Sequence, residues 1–256
     1  MKYIENCTVN KNEKIIDDIY RMELKSNKIV KDSKAGQFLE IKVNNLNYPL
    51  LRRPISINEI NLDENLLVIY YKTVGKGTKI LSQVKKGEKL SVVGPLGNGF
   101  DTSYEGLNIG IVGGGIGIAP LVELAKSLYQ KNNVNIYLGF NDKPYLINRL
   151  NELSNIVKVS TVSGSYGYKG FITEVLEKDI KEGNLDLLYA CGPKGMLKKI
   201  KDIAKEFNIR CQVSLEERMG CGIGACLGCS IEVNGQMKKV CVDGPVFWSN
   251  EVNLDE

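Results

Sequence analysis

Four cysteines in the last fifth of the chain, Cys221, Cys226, Cys229 and Cys241, constrain the fold more than any other feature. They read Cys-x4-Cys-x2-Cys, followed by eleven residues and the fourth Cys. Three thiolates at that spacing suit a [2Fe-2S] cluster. The surrounding segment runs Met219-Gly-Cys-Gly-Ile-Gly-Ala-Cys-Leu-Gly-Cys-Ser230, with glycines at 220, 222, 224 and 228. A loop that wraps a cluster needs such residues, because its backbone must come close to the sulfides in conformations that side chains obstruct.

Two other uses of four cysteines stay open. Structural zinc sites more often use two separated Cys-x2-Cys pairs, and disulfides suit an intracellular chain poorly. The fourth cysteine lies much nearer the other three than plant-type ferredoxins place theirs. A Rieske centre is excluded, since it needs two histidines and the chain has none. Without histidine, Ser–His and Cys–His nucleophilic catalysis are also excluded, and the commonest acid–base group near neutral pH is missing. We find no dedicated acid–base pair and expect no catalytic residues in that sense. The chain reads as an electron carrier.

Its 256 residues allow two ordinary domains and a small third one. Hydrophobic content of 43% and charged content of 25% are those of a globular protein. No apolar run approaches the ~20 residues that span a bilayer, and the N-terminus, Met1-Lys-Tyr-Ile-Glu-Asn, has no apolar signal core. A cytoplasmic protein without membrane contact is expected. The net charge of +4 (34 basic against 30 acidic residues) is dispersed. Its densest basic group, Lys198, Lys199 and Lys201, fits a solvated helix face, so no nucleic-acid partner is expected.

Residues 1 to about 100 read as short β-branched strands: Lys14–Leu24, Gln37–Val43, Leu66–Lys72 and Lys89–Val93, with turns at Lys34-Ala-Gly36 and Lys85-Lys-Gly-Glu88. A barrel or sandwich is expected. Strands and helices then alternate: strand Asn108–Val112, helix Ala119–Gln130 started by Pro120, strands Val134–Phe140 and Ile156–Val162, helix Phe171–Glu177, strand Leu185–Ala190, helix Lys194–Phe207 and strand Ile209–Leu215. That order predicts a doubly wound parallel sheet.

Two turns could line one cleft of that sheet. Gly113-Gly-Gly-Ile-Gly-Ile-Ala-Pro120 joins a strand to a helix, where backbone amides can approach a pyrophosphate. Cys191-Gly-Pro-Lys-Gly-Met196 joins a later strand to its helix. A purely structural glycine turn is the competing reading. In the β-rich half, Leu51-Arg-Arg-Pro-Ile-Ser-Ile57 sets guanidinium and hydroxyl groups close together, as phosphate binding would require. An edge strand with solvated arginines would read the same way. Gly75-Lys-Gly-Thr78 is a second candidate cofactor contact, or a hairpin turn.

Together these motifs resemble the ferredoxin reductase superfamily, through Arg53-Pro-Ile-Ser56, Gly113–Pro120 and Cys191-Gly-Pro193. With the cysteine loop, Gly94-Pro-Leu-Gly-Asn-Gly-Phe100 and Val242-Asp-Gly-Pro-Val-Phe247 added, the whole chain resembles the electron-transfer subunits of type B dihydroorotate dehydrogenases. The resemblance implies a multi-domain β plus α/β protein: an antiparallel flavin-binding barrel over 1–101, a nucleotide-binding α/β domain over 102–210 and a [2Fe-2S] domain over 211–256.

It implies FAD at Arg53, Pro54, Ile55, Ser56, Tyr70, Tyr71, Lys72, Gly77 and Thr78. NAD would lie at Gly113, Gly114, Gly115 and Gly117, with Cys191 and Gly192 near the nicotinamide. The cluster would be ligated by Cys221, Cys226, Cys229 and Cys241. In the family, an FMN-containing catalytic subunit oxidises dihydroorotate in pyrimidine biosynthesis. Electrons then pass through the cluster and FAD to NAD+, within a heterotetramer of two plus two subunits.

Two alternatives are weighed. One is the small subunit of an NADH-dependent ferredoxin:NADP oxidoreductase or sulfide dehydrogenase; there an Asp usually stands where Cys221 does. The other is a redox-sensing regulator, which would not need both the flavin and nucleotide motifs. Cys7 and Cys211 read as buried small hydrophobes.

Overall fold

The run expected as one strand, Lys14–Leu24, is a hairpin: the chain reverses at Asp17, whose φ of 26° is one that Asp tolerates. The computed structural model describes residues 1–44, 48–183 and 185–254. Strands β1 (Tyr3–Ile16) and β2 (Ile19–Lys25) flank that turn, and β3 (Phe38–Ile41), β4 (Arg53–Asn61), β5 (Leu66–Lys72) and β6 (Lys89–Leu96) follow. They close into an antiparallel barrel of order β1-β2-β5-β4-β3-β6, sealed by β1 pairing with β6. Alternate residues fill it, among them Val9, Met22, Leu24, Leu39, Ile41, Ile55, Ile57, Ile69, Tyr71 and Val92. Strand β4 pairs on both sides, with β3 and β5, and so is no edge strand. Between β5 and β6, Lys76–Leu81 forms a short helix and not a hairpin turn.

The second half supplies β7 (Asn108–Gly114), β8 (Asn133–Phe140), β9 (Ile156–Thr161), β10 (Tyr168–Lys169), β11 (Leu187–Cys191) and β12 (Arg210–Ser214). Their sheet order is β10-β9-β8-β7-β11-β12, all parallel, and a last strand, Val246–Trp248, adds antiparallel to β12. Strand β7 is buried almost throughout, as a strand covered on both faces must be. Two long helices, Ile172–Glu182 and Lys194–Glu206, pack on each other and on the sheet through Leu176, Ile180, Leu197, Ile200 and Ile203. The lysine group lies on the second of these helices, where Lys199 pairs with Glu177 at 3.3 Å. Among the described residues no helix is long and apolar enough to cross a membrane.

The chain divides into two compact units. One comprises Met1–Gly99, Glu216–Ser230 and Lys238–Pro245; the other comprises Phe100–Leu215, Ile231–Met237 and Val246–Glu256. All four candidate cluster cysteines therefore fold with the barrel.

Candidate functional site

Arg52 and Arg53 are adjacent in sequence and differently employed. Arg52 donates to the Ser91 carbonyl at 2.6 Å and to the Ser91 hydroxyl at 2.9 Å, tying the approach to β4 onto β6. Arg53 lies instead against the turn opening the short helix Lys76–Leu81. A Cβ added at Gly77 would come 2.6 Å from the Arg53 guanidinium carbon. The Thr78 hydroxyl accepts from the Val74 and Gly75 amides at 3.1 and 3.3 Å and so fixes that turn.

Pairing and alternation sort the other flavin candidates. Ile55, Ile57, Ile69 and Tyr71 point into the barrel, so their neighbours Pro54, Ser56 and Tyr70 share its outer face. The Tyr71 hydroxyl donates to Asn12 at 2.9 Å inside the barrel. Only the backbone of Ile55 and Tyr71 is open to a cofactor. Lys72 is exposed and pairs with Asp18 at 3.3 Å.

In the cysteine loop the thiols stand as two pairs, Cys221 with Cys226 and Cys229 with Cys241. The Cys226 amide donates to the Cys221 sulfur at 3.3 Å. That amide, with those of Ile223 and Ala225, pulls the Cys221 thiol down to about 6, despite some opposing burial. Burial and the adjacent Cys229 push Cys241 up to about 12. Four thiols on one loop are the donor set of a [2Fe-2S] cluster. The glycines fit as well: Gly222 and Gly224 have φ of 68° and 82°, and a Cβ at Gly220 would crowd the Cys226 sulfur at 3.3 Å. The residues present fit a [2Fe-2S] cluster.

Two segments singled out in the sequence anchor this loop. The Asn98 side-chain amide donates to the carbonyls of Val242 and Asp243 at 3.1 and 3.0 Å, and its backbone amide donates to the Gly244 carbonyl at 2.6 Å. Lys239 reaches the Gly224 carbonyl at 2.9 Å. Beneath the loop, Glu40 of β3 is buried, and burial raises its carboxyl to about 7 even though Arg52 and Arg53 oppose the rise. Sequence reading missed it, because Phe38-Leu-Glu-Ile41 looks like an ordinary alternating strand.

In the nucleotide-binding half, β7 and β11 lie side by side with Gly113 opposite Cys191, which brings the two glycine turns together. A Cβ at Gly117 would stand 2.6 Å from the Gly192 backbone, and one at Gly114 would stand 2.6 Å from the Met196 sulfur. Those glycines are thus required for turn-to-turn packing. Gly115 has a φ of 55° and open space around it. The Tyr145 hydroxyl steadies it by donating to its carbonyl at 2.7 Å. At the C-terminal ends of β8 and β9, Ser163 and Ser165 gather on Asp142: the Ser163 hydroxyl reaches its carboxylate at 2.8 Å and Ser165 its carbonyl at 2.7 Å. The two hydroxyls hold the Asp142 carboxyl below its usual range. This cluster joins two loops distant in sequence, which concealed it from sequence reading.

Known proteins resemble the chain over nearly its whole length. Family models match residues 6–100 (oxidoreductase FAD-binding domain), 111–202 (oxidoreductase NAD-binding domain) and 216–253 (iron–sulfur cluster binding domain of dihydroorotate dehydrogenase B). A curated protein of Caldanaerobacter subterraneus subsp. tengcongensis, the electron transfer subunit of dihydroorotate dehydrogenase B (NAD+), is 43% identical over 98% of this chain and 99% of its own. The chain belongs to that family of electron transfer subunits.

Its counterpart in Bacillus pumilus is 44% identical over 96% of this chain and 97% of its own. Among solved structures, one described as an NADH-dependent reduced ferredoxin-NADP oxidoreductase aligns with a TM-score of 0.87. It is 36% identical and covers 97% of this chain and 90% of its own. As an electron transfer subunit of this family, the protein has the expected flavin barrel, nucleotide-binding sheet and iron–sulfur segment.

Proposed function

We propose that this chain draws electrons from an FMN-containing dihydroorotate dehydrogenase subunit and delivers them to NAD+. One observation carries the reading: the flavin-signature strand and the four cysteines belong to one compact unit, with the cysteine loop over β3, the partner strand of β4. When bound, a flavin takes up one or two electrons and so matches a one-electron cluster to a two-electron nicotinamide.

The protein's own residues bind and orient. Arg53, lying against Gly77, would hold the pyrophosphate of FAD, while Pro54, Ser56 and Tyr70 present the outer barrel face and Thr78 shapes the turn. Backbone at Ile55 and Tyr71, with Lys72, completes that contact. Cys221 and Cys226 form one thiol pair, and Cys229 and Cys241 the other. Gly113, Gly114, Gly115 and Gly117, with Cys191 and Gly192, seat NAD, and Asp142 accepts from its adenosine ribose, a role an acidic side chain fills where phosphate is absent. The functional modules are 1–101, 102–210 and 211–256. We place the protein in the cytoplasm, where thiol ligands stay reduced, in a two-plus-two assembly with its catalytic partner.

The test is dihydroorotate-dependent NAD+ reduction by this chain co-purified anaerobically with the FMN-type dehydrogenase of the same cell. Activity that requires both subunits is the expected result. Absence of association, with NADH still bleaching flavin and cluster, would instead assign the chain to a ferredoxin- or sulfide-linked assembly.

A further inference from the structure

Glu40 has no part in the roles assigned above, yet its placement is costly. It alternates with the core residues Leu39 and Ile41, so its side chain leaves the barrel on the outer face. There it should meet solvent, but it is only 1% exposed. Its cover is the cysteine loop: a Cβ at Gly222 would stand 2.8 Å from Glu40 Oε1, so only glycine lets the loop close. Neither carboxyl oxygen has a hydrogen-bond partner. A buried polar group without a partner is destabilising, and an apolar side chain would fill the space without that cost. On the same face, Glu40 pairs across the sheet with Pro54 of the flavin signature. Its unpartnered end thus lies between the signature strand and the segment Cys221–Gly222.

We propose that Glu40 is a positioning residue for the iron–sulfur cluster, its buried end supplying a hydrogen bond toward the cluster side of the loop. The proposal rests on the cysteine loop holding a [2Fe-2S] cluster. As an acid, this end can donate through O–H, and an amide of the same length can donate through N–H. Hydrogen bonds to cluster sulfurs are among the determinants of reduction potential, and a lost donor makes reduction harder.

The experiment compares wild type, Glu40→Gln and Glu40→Met in the anaerobically purified complex. Its readouts are iron and flavin content, the electron paramagnetic resonance spectrum of the reduced cluster and the cluster's midpoint potential. The Gln variant should match wild type. The Met variant, equally long but unable to donate, should show a more negative potential and an altered spectrum with flavin content unchanged. Any other pattern, including equal shifts in both variants or none in either, overturns the proposal. If Glu40→Met yields no flavin-loaded protein, Glu40→Leu, apolar and shorter, removes the same carboxyl. A negative shift there supports the proposal, and an unchanged potential overturns it. Wild type lacking iron and the reduced-cluster signal would instead refute the cluster assignment beneath it.

Discussion

Arg53 lies across Gly77 so closely that a methyl group at position 77 would stand 2.6 Å from the guanidinium carbon. Signature arginine and helix-opening turn therefore work as one device. Arg53→Ala removes a charge-assisted contact worth roughly 1.5–3 kcal/mol, which predicts FAD retention weakened about 10- to 100-fold. Gly77→Ala should weaken it too, by displacing an intact arginine. Flavin content after gel filtration and equilibrium dialysis measure both, and unchanged retention in Arg53→Ala would remove its phosphate role.

The two thiol pairs make a separable prediction. Cys226→Ser should abolish the visible absorbance of the cluster while FAD stays bound, because the flavin face is built by β4 and β5. Absorbance spectra with iron and flavin analyses decide it. Loss of both cofactors would show that the loop supports the barrel itself.

Asp142, held ionised by Ser163 and Ser165, would repel a ribose phosphate. Asp142→Asn should reduce the preference for NADH over NADPH by about 10-fold or more in flavin-reduction kinetics. An unaltered preference would place the ribose elsewhere.

Alkali should expose the two buried cysteines. Burial pushes the thiols of Cys7 and Cys211 up to about 12 from an ordinary 9. The folded state keeps these protons after the unfolded chain has begun to lose them. Stability is therefore undiminished below pH 9 and falls as pH rises from there toward 12, by about 1.4 kcal/mol per pH unit for each thiol. Urea unfolding at pH 8 and 10 should show the fall, and Cys7→Ala with Cys211→Ala should flatten it.

The cysteine loop also exposes Ile223 and Leu227, at 52% and 72% of their surface. On the proposed reading electrons enter through this loop, so large apolar side chains on it suit the partner surface. Ile223→Asp with Leu227→Asp should abolish association with the dehydrogenase subunit while leaving NADH reduction of the flavin unchanged. Co-purification and stopped-flow traces test the two halves.

Much of this was legible because it is local in the chain. Leu66–Lys72 was recovered to the residue, since its turn signals bound a continuous apolar run, and Pro120 marked its helix start correctly. Lys14–Leu24 concealed a hairpin because Asp17 and Asp18 look like the polar half of an alternating strand. The glycines of 113–117 read as ligand contacts; the second demand on Gly114 and Gly117, packing against Met196 and Gly192, was hidden because those partners lie more than seventy residues away. Glu40 and Asp142 were invisible for the same reason: what singles them out is a neighbour brought near only by folding.

Asn98 gives this topology a temporal meaning. Its amide waits for Val242, Asp243 and Gly244, so the barrel's last backbone partners leave the ribosome some 145 residues after the barrel's own strands. During synthesis Glu40 stays open to water until the cysteine segment arrives to cover it. Iron–sulfur assembly is thereby scheduled as a late event in the life of each new chain, after the six parallel strands of the nucleotide-binding sheet have been made.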